Sequence, residues 1–184
     1  MPRLTHSTSV PRSATAVDQP VASDEIDDLP PEQRRAAELS GFEGSAGQTL
    51  ALPGPVDEPI MVLVGVGPRA DINPEALRRA AAGFVRAVSK HQAVATTLAE
   101  TTSDLERAES VAAVTEGVGL ASYSFTELKS DPPKAPLRKI TVVAGGKGAR
   151  AGFNAASAAV DAVALARDLT NMPGGDLTPE VFAA

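Results

Sequence analysis

The chain has 184 residues, enough for one domain with length to spare, and 43% of them are hydrophobic against 22% charged. Lys and Arg number 17 and Asp and Glu 23, a net charge of −6 that disfavours a nucleic-acid or anionic-membrane surface. The absence of cysteine excludes disulfides, thiolate nucleophiles and Cys-ligated zinc, and two histidines (His6 and His91) are too few for a multi-histidine metal site.

Residues 1–22 are rich in Ser, Thr, Pro and small side chains and read as a flexible polar tail. They lack the apolar core of a signal peptide, and no stretch approaches the roughly 20 apolar residues of a membrane span, which points to a cytoplasmic chain. Asp24, Glu25, Asp27 and Asp28 lack the alternating spacing of a calcium loop and read as solvated charge ahead of a helix. Pro31 to Ser40 predicts that helix, with Gly41 placed to end it. Ile60 to Val66 is an unbroken apolar run, suited to a strand buried on both faces. Asn73-Pro74-Glu75 opens the next helix with an N-cap, a first-turn proline and an acidic residue, and Leu77, Ala81, Phe84, Val85 and Val88 form its stripe.

Val94 to Leu98 predicts a further strand. The pattern Ser103-Asp104-Leu105-Glu106 is a capping box for a helix carrying Leu105, Ala108, Val111, Ala112 and Val114. Lys139 to Ala144 predicts a third strand, and Asn154 to Leu169 an Ala-rich helix with Ala156, Val160, Val163 and Ala164 on one side. Strands alternating with helices predict a mainly parallel or mixed sheet covered by helices. Thr178-Pro179-Glu180 signals one more helix start with little chain to fill it, as expected of a fragment.

Two glycine-rich strand exits invite a functional reading. Gly146-Lys147-Gly148-Ala149-Arg150-Ala151 fits G-x-G-x-x-A between a strand and a helix, where amides could cradle a pyrophosphate. No acidic residue ends a further strand about 20 residues on, since Asp168 falls inside a helix, and a plain connection is the better reading. Gly65-Val66-Gly67-Pro68 could line an anion site, but a turn explains it as well. Lys147 and Arg150 read as a solvated pair, His91 as a complement to a helix C-terminus, and Tyr123 and Phe125 as core. No Ser has a base beside it that would make it a nucleophile. The chain thus offers no catalytic, cofactor-binding or metal-ligating residue of its own.

Several stretches in the same order resemble the leucyl aminopeptidase, or cytosol aminopeptidase, family. Phe42 to Leu50 is similar to that family's early Phe-x-Gly-x-x-Gly-x-Thr segment, Val62 to Gly67 to the strand after it, and Leu77 to Ala82 to its next helix. Glu116-Gly117-Val118-Gly119-Leu120-Ala121-Ser122-Tyr123-Ser124-Phe125 resembles its Glu-Gly-x-x-Leu-x-x-Tyr-x-Phe segment, with Lys129 at the usual place for a following Lys. Ala166-Arg167-Asp168-Leu169-Thr170-Asn171-Met172-Pro173 is similar to the junction ahead of the catalytic domain.

The resemblance implies an N-terminal domain at residues 23–165, a three-layer α/β unit with a mixed sheet flanked by helices, similar to macro domains. Residues 166–184 are then a linker and the start of a helix leading to a catalytic domain absent from this chain. That domain would hold two divalent metal ions, zinc or manganese, and hydrolyse N-terminal residues from peptides. The family's Asn-Thr-Asp-Ala-Glu-Gly-Arg signature is absent here, so no metal-binding or catalytic role transfers to a residue of this chain. The implied partners are the chain's own catalytic domain and further copies in a hexamer, with assembly and access control as the domain's tasks. The family opens with an apolar strand, and the polar tail here predicts its loss or alteration. Two other classes compete: a macro-like module binding ADP-ribose or a nucleotide at Gly65–Gly67 or Gly145–Gly148, and a DNA-binding role that the net charge disfavours.

Overall fold

The computed structural model describes residues 1–55, 58–101, 105–126, 128, 130–131 and 137–179. Within them a six-stranded mixed sheet has the order β1-β6-β5-β2-β4-β3, built from β1 (Arg3–Ser7), β2 (Ala16–Ala22), β3 (Thr49–Leu52), β4 (Ile60–Gly67), β5 (Ala93–Thr96) and β6 (Lys139–Val143). All neighbours run parallel except β3, which returns antiparallel along β4. Helices α2 (Pro74–Ala87) and α3 (Arg107–Ala121) cover one face, with α4 (Ala149–Asn171) packed on α3, while α1 (Pro31–Ser40) covers the other. The expected three-layer α/β architecture is what the chain adopts.

The flexible tail expected over residues 1–22 is corrected: it supplies two strands, and β2 lies at the heart of the sheet. Hydropathy hides β2 because its polar side chains are satisfied by specific partners rather than by water. Asp18 is buried and accepts four hydrogen bonds, from Thr96 Oγ1 (2.7 Å), Thr97 N (2.6 Å), Thr97 Oγ1 (3.1 Å) and Leu98 N (3.2 Å). Gln19 exchanges reciprocal amide hydrogen bonds with Gln33 on α1. Pro20 has no N–H to donate, and the ladder with β5 extends only over Ala16 and Val17. The carboxyl of Asp18 is pushed up by burial, an effect that its hydrogen bonds partly offset.

Elsewhere local signals and structure coincide. Gly41 ends α1 with φ 69°, and Asn73 caps α2 by accepting from Ala76 N at 3.0 Å. Leu77, Ala81, Phe84, Val85 and Val88 are all buried, and Val62, Leu63 and Val64 fill both faces of β4. Helix α3 runs on to Ala121 because it is sandwiched between α2 and α4, so packing rather than a single stripe sustains it. Ser103 and Asp104 of the expected capping box lie outside the described residues, as does Lys129, and α3 begins only at Arg107 with Glu106 as its N-cap, so Leu105 precedes the helix it was expected to join. Leu98, expected to close β5, enters a 3₁₀ turn whose first amide is taken by Asp18.

Residues 166–171, the first part of the expected linker, are helical. Helix α4 starts five residues before Asn154 and continues without a break through Asn171. Val160 is fully buried, whereas Val163, expected beside it, is 38% exposed.

Candidate functional site: the junction of the third and fourth helices

The two glycine-rich exits are committed to the fold. Gly47 N donates to Gly65 O (3.0 Å), Gly65 N to Gln48 O (2.9 Å) and Gly67 N to Gly44 O (2.9 Å), so the 44–48 loop lies directly on β4. A Cβ on Gly65 would stand 2.2 Å from Ser45 O, which leaves glycine as the residue that fits. Gln48 closes the loop, accepting from Glu43 N and Ser45 N and donating to Gly41 O. The Phe-x-Gly-x-x-Gly-x-Thr segment is therefore a clasp over the central sheet.

At the second exit, Gly145 N donates to Glu100 Oε1 at 2.9 Å. A carboxylate thus sits where a phosphate would have to bind, and its charge repels one. Arg69 pairs with Glu25 and donates to Thr101 O at 2.8 Å, tying neighbouring strand ends together. The Arg69 guanidinium holds the Glu25 carboxyl below its usual range. Lys147 and Arg150 are exposed beside this exit.

The histidines stand apart from each other. His6 Nε2 lies 3.0 Å from Ala144 O with its ring against Phe153, and His91 follows α2 with Nδ1 3.3 Å from Thr15 Oγ1. Among the described residues, no three Asp, Glu or His side chains come together as metal ligands. The residues present do not fit a two-metal centre, and no step of such chemistry is assigned to them.

What the fold does assemble is a clamp where α3 hands over to α4. Gly117 and Gly119 sit near the end of α3, and Cβ atoms there would meet Arg78 O on α2 at 2.6 Å and Val160 Cγ1 on α4 at 2.6 Å. These bare positions let three helices converge at close range. Glu116 accepts from Arg78 Nε at 2.6 Å across the same contact. Just beyond α3, the Tyr123 hydroxyl donates to Asp168 Oδ1 (2.8 Å) and accepts from Asn171 Nδ2 (3.2 Å). The Arg167 guanidinium stands 5.2 Å from the Tyr123 ring centroid and donates to Leu120 O at 3.2 Å. Burial and the adjacent Asp168 carboxylate both push the Tyr123 phenol up.

Tyr123 and Phe125 were expected in the core; both are half-buried, and Tyr123 faces a polar cluster instead. Sequence reasoning placed Tyr123 and the Arg167–Asn171 stretch in separate motifs without joining them. The joining signal was available in principle: a lone tyrosine and an Arg-Asp-x-x-Asn spacing that sets three polar groups on adjoining turns of one helix.

Comparison with known proteins follows the same lines. Residues 16–132 match the family described as "Cytosol aminopeptidase family, N-terminal domain". A probable cytosol aminopeptidase of Corynebacterium efficiens is 36% identical over 152 residues, covering 81% of this chain and 29% of its own length. The solved structure of the bottromycin maturation enzyme BotP superposes with a TM-score of 0.79 at 32% identity, over 92% of this chain and 35% of that one. A tomato leucine aminopeptidase mutant shares the fold alone, with a TM-score of 0.80 at 19% identity over 100% of this chain and 41% of its own. The chain thus spans about a third of the length of the proteins it matches. With the family match covering four of the six strands and the clasp over them, the chain belongs to the cytosol aminopeptidase family, as a form of its N-terminal domain.

Proposed function

We propose that this chain works as the non-catalytic N-terminal domain of a longer cytoplasmic aminopeptidase. The parent enzyme hydrolyses N-terminal residues of the leucine type from peptides, using two divalent metal ions, zinc or manganese, held outside this chain. Residues 23–165 and the two preceding strands act as the domain, and α4 carries the chain towards the catalytic part. The domain serves assembly into a hexamer and control of access to the catalytic centre, with neither nucleic acid nor membrane as partner. The single supporting observation is that the chain matches aminopeptidases along most of its length while spanning about a third of theirs.

The intact mass of the natively expressed protein tests this reading. A mass far above 18.8 kDa, with hydrolysis of a leucine amide that chelation abolishes, is the expected result. A native mass of 18.8 kDa without hydrolysis overturns it. No observation favours the nucleotide-binding alternative, because the amide it would need at Gly145 is already taken by Glu100.

A further inference from the structure

Helix α4 is apolar on two opposite sides. Gly152, Phe153, Ala156 and Val160 are buried against α3 and the sheet. Roughly 200° around the helix, at alternating three- and four-residue steps, run Ala151, Ala155, Ala158, Ala162, Leu165 and Leu169. The first five are exposed, Leu165 to 60%, and Leu169 is half-buried. Between Ala149 and Ala166 the polar residues, Arg150, Asn154, Ser157 and Asp161, lie in one narrow strip between the two apolar sides, and Arg167, Thr170 and Asn171 break the pattern only in the last turns. A helix apolar around most of its circumference is ordinarily enclosed, and a lone surface helix has no use for a second stripe.

The clamp bears on the same question. Tyr123 grips Asp168 and Asn171 on the side of α4 that faces α3, which fixes the helix past the end of the sheet. The outer stripe is thereby held open and in line with the direction in which the chain leaves the domain. The proteins it matches continue for about two-thirds of their length outside the matched part.

We propose that the outer stripe of α4 from Ala151 to Leu169 is the docking surface for the remainder of the same polypeptide, which packs along it as a second layer. This inference rests on the reading that the chain is one domain of a longer enzyme. Small alanines over most of the stripe allow a partner backbone to approach closely, and Leu165 and Leu169 anchor the far end.

The 184 residues contain no cysteine, and in the longer polypeptide the reaction at each introduced thiol is read by mapping the peptide that contains it. Ala162→Cys places a thiol on the stripe, and Asn154→Cys places one on the polar strip as a control. Alkylation is followed in the 184-residue chain and in the native-length polypeptide. The expected result is rapid reaction at both positions in the short chain. In the long polypeptide Ala162→Cys reacts at least about tenfold more slowly while Asn154→Cys is unchanged. Equal rates for Ala162→Cys in both forms overturn the docking surface and leave the parent reading intact, since that reading is decided by mass and hydrolysis. Protection already present in the short chain, together with a dimer in sedimentation, overturns it in favour of a second copy as the occupant.

Discussion

The phenol of Tyr123 donates to Asp168 Oδ1 at 2.8 Å, joining the second residue past α3 to the last turn of α4 across 45 positions of sequence. Asn171 completes the arrangement at the end of the same turn, and Arg167 covers the ring. The end of α4 has few buried apolar contacts, with Leu165, Ala166 and Arg167 all exposed, so these polar contacts are what hold it. Tyr123→Phe keeps the ring under Arg167 and removes both hydroxyl contacts. Amide exchange over residues 165–171 is expected to accelerate several-fold while exchange in β4 and α2 stays as it was. Unchanged exchange in the last two turns of α4 would show that the helix holds itself.

Asp18 controls a different region. Truncation in Asp18→Ala leaves Thr97 N and the Thr96 and Thr97 hydroxyls without this acceptor and Leu98 N with only Thr96 Oγ1 at 3.3 Å, at an expected cost of about 3 kcal/mol in chemical denaturation. The pH dependence has a definite sign. Burial raises the folded-state value above the ordinary 3.8, so the buried carboxyl favours its neutral form. Below 3.8 the group is neutral whether folded or unfolded and contributes no penalty. As pH rises through 3.8 and on through the raised folded value, the unfolded chain ionises first and native stability falls. The stability of the wild type minus that of Asp18→Asn is therefore expected to decrease across that window. A difference that grows with pH would mean that the four donors outweigh burial.

The strands that sequence reasoning recovered are rich in β-branched and apolar residues, although Thr96 and Thr141 are buried within two of them. Ile60 to Val66 is one, and no polar side chain interrupts it. Strand β2 escaped because Asp18, Gln19 and Pro20 are individually unfavourable in a central strand, and the first two are made compatible by Thr96 and Thr97, 78 and 79 residues on from Asp18, and by Gln33 on α1. Strand β1 escaped for a related reason: it is short and half-buried, and its Thr5 hydroxyl meets Thr141 Oγ1 at 3.0 Å on β6. The glycines of Gly65-Val66-Gly67 and Gly146-Lys147-Gly148 were visible as special positions. Whether such glycines receive a ligand or their own chain depends on what folds back over them, here the 44–48 loop and Glu100. The clamp illustrates the same limit, because each half is a recognisable motif and the contact between them is tertiary.

The occupied amide at Gly145 leads to a binding prediction. ADP-ribose at millimolar concentration is expected to give no heat in calorimetry and no shift of the Gly145, Gly146 and Gly148 amides. Its phosphates would have to displace the Glu100 carboxylate from the Gly145 amide. Micromolar binding with shifts at those glycines would revive the nucleotide-binding module.

The contact between Gly119 and Val160 decides how closely α4 can lie on α3. A Cβ at residue 119 would stand 2.6 Å and 2.7 Å from the two Val160 methyl carbons, and both residues are buried. Gly119→Ala improves helix propensity by about 1 kcal/mol, yet the overlap requires α4 to shift or Val160 to leave its rotamer, at a cost of about 1–3 kcal/mol. Net destabilisation is expected because Val160 is the last fully buried anchor of α4, and moving it also strains the Tyr123–Asp168 contact two turns on. Val160→Ala frees space for the added methyl. In a double-mutant cycle the Gly119→Ala and Val160→Ala changes should therefore couple favourably, the pair costing less than the sum of the single changes. Strict additivity would mean that the helices accommodate the methyl elsewhere and that glycine at this position is not what sets their spacing.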